Sequence, residues 1–167
     1  MSALINNPSP TDKDIAEFFR LGPSLGTCDV SQVVRWVEKV VEREAKTNHA
    51  FIELCLANNQ SVSAVQSLLI DVSGTLTKDL PLRMLLGHCW HIVSRHPRQG
   101  ERLLRPLYLL VSLEDSESDV YYALVGLKHE LCLAEEKVFG SMEDVMKKFS
   151  VFLQPFASDA PMEALNR

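Results

Sequence analysis

The sequence lacks the features that mark secreted and membrane-spanning proteins. Residues 1–7 carry neither the basic region nor the apolar run of a secretory signal. The most apolar stretch, residues 103–113, is interrupted by Arg105 and Pro106 and is shorter than the roughly 20 apolar residues that cross a bilayer. We therefore expect a cytoplasmic protein with no membrane-spanning segment.

Paired cysteines and nucleotide-binding motifs are also absent. The four cysteines, at positions 28, 55, 89 and 132, stand far apart without a C-x-x-C pair, which favours reduced and mostly buried thiols over a disulfide framework. There is no G-x-G-x-x-G, P-loop or H-E-x-x-H pattern, so dinucleotide, nucleotide and zinc-protease chemistry have no local support. No cofactor is predicted.

The composition is that of one soluble globular domain, with 167 residues of which 46% are hydrophobic and 23% charged. A chain of this length buries roughly two thirds of its unfolded surface, so its core needs no structural metal. The net charge of -5 disfavours non-specific binding to nucleic acid. We predict a single helical domain over residues 11–155, a flexible N-terminal arm over residues 1–10 and a tail over residues 156–167.

Apolar residues recur at helical spacing through most of the chain. The clearest case is a set of valines at positions 30, 33, 34, 37, 40 and 41, which share one helix face. Local signals indicate helix starts at Thr11, at Asp29 or Cys28, at Ser61 or Ser63, at Asp79 and at Ser141. The pattern predicts an all-α fold of seven or eight helices in antiparallel pairs, arranged as a short HEAT-like α-solenoid or an irregular orthogonal helical bundle.

Three further signals predict where helices end or break. Pro106 should kink or divide the helix over residues 98–113, because proline lacks a backbone donor. The helix after the acidic turn of residues 114–119 should run to Gly140. The last helix should bury Met142 and Met146 and end at Pro155.

The pattern around Trp36 resembles one in small uncharacterised bacterial all-helical proteins. It comprises VRWVE at residues 34–38 and, after a gap, FIELCL at Phe51 to Leu56. The resemblance favours a bacterial origin and implies no activity.

One motif resembles the serine elbow of hydrolases. Residues 22–26 read Gly-Pro-Ser-Leu-Gly, which matches G-x-S-x-G, but the elbow requires a strand before the serine. A helix precedes it here, so we interpret the two glycines as a helix end and a loop. Glutamates 130, 135 and 136, near His129, are interpreted as a solvated helix face rather than an acid–base pair.

The histidines form the densest group of metal-ligand types. His88 and His91 are three residues apart and could share a zinc ion, with His129 or Cys132 completing the site from another helix. No Asp or Glu lies between residues 80 and 100. We therefore favour the interpretation that Cys89 and part of Trp90 belong to the core and the histidines lie at its margin.

Charge is distributed unevenly along the second half of the chain. Residues 78–113 contain six basic and two acidic residues, a net charge of +4, whereas residues 114–144 contain nine acidic and two basic residues, a net charge of -7. Arg98, Arg102 and Arg105 have the spacing of one helix face. Such a ridge either pairs within the molecule, is solvated, or docks a partner of opposite charge.

These observations predict a non-enzymatic protein–protein interaction module, of the kind found among bacterial regulatory or immunity-type proteins. Its contact surface would be the arginine ridge or the acidic face of residues 114–136, which includes Glu117 and Asp119. The alternative is a small-molecule- or metal-binding helical protein, or an enzyme, with a site near Trp90, His88 and His91. RNA binding through the arginines is disfavoured by the acidic total. The sequence does not predict the oligomeric state.

Overall fold

The computed structural model describes residues 9–44, 48–114 and 117–165. Over these residues the fold is all-α, as predicted, and contains no strand. The α-helices are α1 (Asp12–Leu21), α2 (Val30–Arg43), α3 (His49–Cys55), α4 (Val62–Ile70), α5 (Leu80–Arg95), α6 (Gln99–Glu114), α7 (Asp119–Glu135), α8 (Met142–Leu153) and α9 (Met162–Leu165). Short 3-10 helices cover Gly22–Leu25, Ala57–Asn59 and Gln154–Asp159.

The helices α1 to α8 account for the predicted number, and α9 is a single additional turn. None of the described helices is long and apolar enough to cross a membrane. Of the predicted N-terminal arm, only Ser9 and Pro10 are described, and both are exposed. Residues 1–8, and residues 115 and 116 of the acidic turn, lie outside the described part of the chain.

Most of the predicted caps are present. The hydroxyl of Thr11 accepts a hydrogen bond from the backbone of Asp14, whose carboxylate accepts one from the backbone of Thr11 in return. Asp29 and Gln32 make the same reciprocal arrangement at the start of α2. Asp79 was predicted to cap α5, but its side chain makes no capping hydrogen bond. Its φ of 60° is left-handed, whereas a capping residue needs an extended backbone.

The helix α7 ends at Glu135 and does not reach Gly140. The backbone N–H of Lys137 donates to the carbonyl of Ala134, and that of Val138 donates to the carbonyl of Leu133. These two bonds close the helix as a Schellman motif, with Lys137 at a φ of 56°. The prediction was wrong because a lysine, rather than the nearest glycine, takes the left-handed position.

Proline does not divide α6. The helix continues through Pro106 from Gln99 to Glu114. Pro106 removes the intrahelical partner of the Arg102 carbonyl, and Arg102 lies at an exposed position. The sixteen residues form one continuous helix that contains Pro106.

Helix α5 lies at the centre of the fold. It contacts α1, α6, α8 and the 3-10 helix Gln154–Asp159, and its buried residues include Met84, Leu85, Leu86 and Cys89. In a solenoid each repeat contacts only its neighbours along the chain. Contacts of α5 with α1 and with the C-terminal segment, and of α2 with α9, favour the irregular bundle of the two predicted architectures.

The core is continuous and contains an aromatic group around Trp36. The rings of Phe19 and Phe51 lie 5.4 Å and 5.8 Å from that of Trp36, within the range of favourable aromatic pairs. All four cysteines are free. Burial raises the pKa of the Cys28 and Cys89 thiols to about 12, so both are uncharged at neutral pH and unreactive.

The C-terminal segment packs closely across α5. A Cβ atom at Gly87 would lie only 2.3 Å from the carbonyl oxygen of Phe156, so this approach requires glycine. Ala164 in α9 is buried, and α9 contacts α2. The described part of the predicted tail, residues 156–165, is thus docked on the domain.

A buried carboxylate joins the start of α1 to the segment that precedes α5. Asp14 is fully buried, and its oxygens accept hydrogen bonds from the backbone N–H and hydroxyl of Thr77 and from those of Thr11, at 2.7 to 2.9 Å. Burial alone raises the pKa of Asp14, but these bonds outweigh it and hold the pKa below its ordinary value.

We expect Asp14→Asn to lower the free energy of unfolding by about 1–3 kcal/mol, because the amide nitrogen would face donors that need an acceptor. In the wild type, the contribution of Asp14 is present at neutral pH and is lost as the pH falls through its lowered pKa, below 3.8. Urea unfolding at neutral and acidic pH measures both effects. Asp29→Asn is the control, because Asn caps a helix about as well as Asp; equal losses in the two variants would contradict the role given to Asp14.

We expect Lys137→Gly to stabilise the protein by about 0.5–1 kcal/mol, because glycine removes the cost of a left-handed backbone while making the unfolded chain more flexible. Thermal and urea unfolding measure the change. Lys137→Ala keeps the Cβ atom and should give no gain. A gain in the alanine variant as large as that in the glycine variant would contradict the backbone explanation.

Candidate functional site

A groove lies between α5, α6 and α8. Its volume is about 590 Å³, which falls within the range of ligand and peptide sites. It is formed where the last turn of α5, residues 97–98 and the first turn of α6 meet residues 142–150 of α8. The lining residues are Val93, Ser94, Pro97, Arg98, Glu101, Met142, Glu143, Met146, Lys147 and Ser150.

The groove has an apolar floor and a charged rim. Val93 and Met146 are buried, and Met142 is half-buried beside them. The charged residues of the rim are all exposed: Arg98, Glu101, Glu143 and Lys147. This division resembles the core and rim of a protein interface.

Gly100 sets the distance between α6 and α8 at the floor. It is buried, and a Cβ atom there would lie 2.7 Å from the sulfur of Met146 and 3.5 Å from the ring of Phe149. Glycine therefore lets the first turn of α6 lie directly against α8. Any larger residue would require the sulfur of Met146 to move.

The structure does not keep the three predicted arginines together as one free ridge. Arg98 lies on the groove rim, and Arg102 is exposed on the outer side of α6. Within the described residues neither forms an ion pair. Arg105 pairs with Glu135 of α7, so the partner of the basic segment is the end of α7 and not the acidic turn.

The predicted acidic residues lie at the opposite end of α6. Glu117 and Asp119 are exposed, and Asp119 stands in the first turn of α7, where the helix dipole favours a negative charge. The Oε1 atom of Glu114 lies 3.4 Å from the Nη2 atom of Arg20. Because α6 has 16 residues, roughly 24 Å separate its basic and acidic ends.

His88 and His91 are held by backbone carbonyls. Their Nε2 atoms lie 3.1 Å from the carbonyl oxygens of Thr27 and Ala157, and since a carbonyl only accepts, each ring nitrogen donates. The cavity beside them is about 190 Å³, smaller than the roughly 300 Å³ at which ligand pockets begin. The described residues contain no group of three or more His, Cys, Asp or Glu that could hold a metal ion.

Ser24 lies in the 3-10 helix Gly22–Leu25, between α1 and α2. The left-handed residue of this turn is Gly26, at a φ of 66°. No strand precedes the serine, so the structural context of a hydrolase elbow is absent from this segment.

Sequence reasoning missed the contribution of α8 to the groove. Met142 and Met146 were both predicted as core, whereas Met142 is half-buried at the floor. The available signal was that each methionine is followed directly by a charged residue, Met142 by Glu143 and Met146 by Lys147. That pattern indicates a helix face on which apolar and charged residues meet.

The pH dependence of stability should include a contribution from His88. Burial lowers its pKa, and the hydrogen bond to Thr27 only partly opposes this. Below the ordinary value of 6.5 the unfolded chain binds a proton that the folded chain does not, so the free energy of unfolding decreases as the pH falls from 6.5 to the lowered pKa.

We expect His88→Gln to make the free energy of unfolding decrease less as the pH falls. The reduction is up to about 1.4 kcal/mol for each unit by which the pKa of His88 differs between the folded and unfolded chain. Urea unfolding at about pH 7.5 and about pH 5.5 spans the range in which histidine titrates. His129→Gln, at an exposed position, serves as the control. The same pH dependence in wild type and His88→Gln would rule out this contribution.

The groove and the two charged ends of α6 are the surfaces from which a function can be argued. The histidine cavity is small, and its ring nitrogens already have partners. No protein-family model, curated protein or solved structure matches this chain.

Proposed function

We propose that the protein is a non-enzymatic protein–protein interaction module that binds a helical segment of a partner in the groove between α5, α6 and α8. The observation that carries this proposal is the combination of an apolar floor, made by Val93, Met142 and Met146, with a rim that carries charges of both signs. An amphipathic helix has the matching pattern, with apolar residues on one face and charges on either side.

The shape of the groove favours a macromolecular partner over a small ligand. Six of its ten lining residues are exposed, whereas small-molecule sites enclose most of the ligand surface. Methionine side chains are flexible and polarisable, so Met142 and Met146 can adapt to different apolar side chains. No histidine or cysteine lines the groove.

The rim charges constrain the partner. Arg98 and Glu101 lie on the α6 side, and Glu143 and Lys147 lie on the α8 side. Each side therefore offers one positive and one negative group, so a complementary segment carries charges of both signs around its apolar face. Arg98 forms no ion pair within the described residues and is available for a carboxylate of the partner.

A bacterial regulatory or immunity-type protein of the cytoplasm is the specific form of this proposal. The resemblance around Trp36 supports the bacterial part, because that pattern is similar to one in small bacterial all-helical proteins. Stoichiometric capture of a partner requires a surface that binds it, and the groove offers an apolar floor with charges of both signs on its rim.

A displayed library of random peptides of about 15 residues, long enough for four helical turns, tests the groove without a known partner. We expect wild-type protein to select amphipathic sequences with apolar residues at i, i+3 or i+4, and i+7. Met142→Glu should weaken binding of those peptides at least tenfold, because it places a charge on the apolar floor. Isothermal titration with synthetic copies measures the loss.

Val151→Glu is the matched control. Val151 is an exposed apolar residue of α8 that does not line the groove, so its variant should bind the selected peptides as wild type does. Met142→Glu should also fold, because a glutamate at the first residue of a helix interacts favourably with the helix dipole. Failure to select any peptide, or equal binding by Met142→Glu and wild type, would refute the proposed site.

A further inference from the structure

The outer side of α6 changes in character along its length. The exposed residues Arg102 and Arg105 are followed at the same helical spacing by Leu109 and Leu113. The two leucines are 59% and 84% exposed. Beyond them come Glu114 and the acidic residues Glu117 and Asp119. One helix thus presents a basic end, an apolar centre and an acidic end.

The adjoining part of α7 is uncharged on every side. Residues 120–127 contain no Asp, Glu, Lys or Arg, yet Tyr122 is 62% exposed, and Ala123 and Gly126 are exposed as well. A helix segment without charge on any face is normally covered by other protein. Helices α6 and α8 cover the side with Leu124 and Leu127, but within the described residues nothing covers the side with Tyr122, Ala123 and Gly126.

The apolar residues of the two helices lie at one level of the α6–α7 hairpin. The rings of Tyr108 and Tyr121 stack at 6.0 Å, and Leu109 and Tyr122 are the next residues after each. Leu113 is one turn further along α6. We call the surface made by Arg102, Leu109, Leu113, Tyr122 and the acidic pair Glu117 and Asp119 the outer face.

We propose that a second copy of this chain packs on the outer face, with the two α6 helices antiparallel about a two-fold axis near Leu109. A two-fold interface joins a surface to itself, so the surface must be self-complementary. The outer face meets this condition because its opposite ends carry opposite charges and its centre is apolar.

The spacing along α6 places the charges in register. Arg102 lies roughly 10 Å from Leu109 towards the start of the helix, and Glu114 lies roughly 7 Å from Leu109 towards its end. Glu117 and Asp119 follow just beyond Glu114, at the turn into α7. Reversing one copy about Leu109 therefore brings its Arg102 to the level of Glu117 and Asp119 of the other copy.

The groups that would meet have no other ion-pair partner in the part of the chain that the structure describes. Within the described residues, Arg102, Glu117 and Asp119 form no ion pair. Arg105 instead pairs with Glu135 and in the dimer contributes its aliphatic stem, which comes to the level of Leu113 of the other copy. The groove involves only the first turn of α6, so both grooves stay open in the dimer.

Light scattering on a size-exclusion column and sedimentation velocity test the proposal. We expect wild-type protein at micromolar concentrations to have twice the chain mass of 18.8 kDa. Leu113→Glu and Leu109→Glu should each raise the dimer dissociation constant at least tenfold, because each places a charge at the apolar centre. Circular dichroism verifies that both variants fold, which their exposed positions favour.

The matched control is Leu56→Glu. Leu56 is 78% exposed and lies at the end of α3, outside the outer face, so this variant should keep the dimer mass. A monomeric wild type at concentrations up to hundreds of micromolar would overturn the proposal. An equal loss of dimer in Leu56→Glu and Leu113→Glu would overturn it as well.

Charge reversal tests the antiparallel register. Arg102→Glu should weaken the dimer several-fold at low salt, and adding Glu117→Arg and Asp119→Arg in the same chain should restore it, because both ends are then exchanged. Arg35→Glu, an exposed arginine on α2, should have no effect. A triple variant weaker than Arg102→Glu would contradict the antiparallel pairing.

Discussion

The arrangement of the bundle depends on the buried carboxylate of Asp14. It is the one polar side chain among the buried residues described, and its hydrogen bonds join the first turn of α1 to Thr77, just before α5 begins. A buried charge is stable only when its oxygens have donors. Asp14 therefore permits few positions of α5 relative to α1, and α5 is the helix on which α6, α8 and the C-terminal segment pack. The groove at the far end of α5 follows from this placement.

Local patterns in the sequence were sufficient to predict the helices. The spacing of Thr11 and Asp14 predicted the start of α1, and the valine pattern predicted α2, because both signals act within one or two helical turns. The pairing of Asp14 with Thr77 joins residues far apart in the chain, and nothing in the local spacing indicates it. The end of α7 escaped prediction for a different reason. Glycine is the usual residue at a left-handed helix end, but Lys137 occupies that position because the two closing hydrogen bonds are made there.

The candidate site was predictable in its charges but not in its geometry. The sequence identified Arg98, Arg102 and Arg105 as a set, yet the fold directs Arg98 to a groove, leaves Arg102 on the outer side and pairs Arg105 with α7. These different environments arise because three helices approach α6 from different directions. Met142 and Met146 were predicted as core because their helical spacing is that of a buried face. Helix α6 covers α8 at Met146, where Gly100 lies against the methionine sulfur, but Met142 remains half-buried.

The close contact at Gly87 also has a consequence for the order in which the molecule is completed. Chains emerge from the ribosome with the N-terminal part first, so α5 is made before α6, α7 and α8. Residues 154–165, which cover one side of α5, are made after all of these helices. During that interval the side of α5 around Gly87 and His91 has no protein over it. The first helices can pair as they appear, but the central helix acquires its final neighbour only when synthesis of the domain is nearly finished. A chain interrupted before residue 154 would therefore keep an open seam along its central helix, even though α1 to α8 were all present.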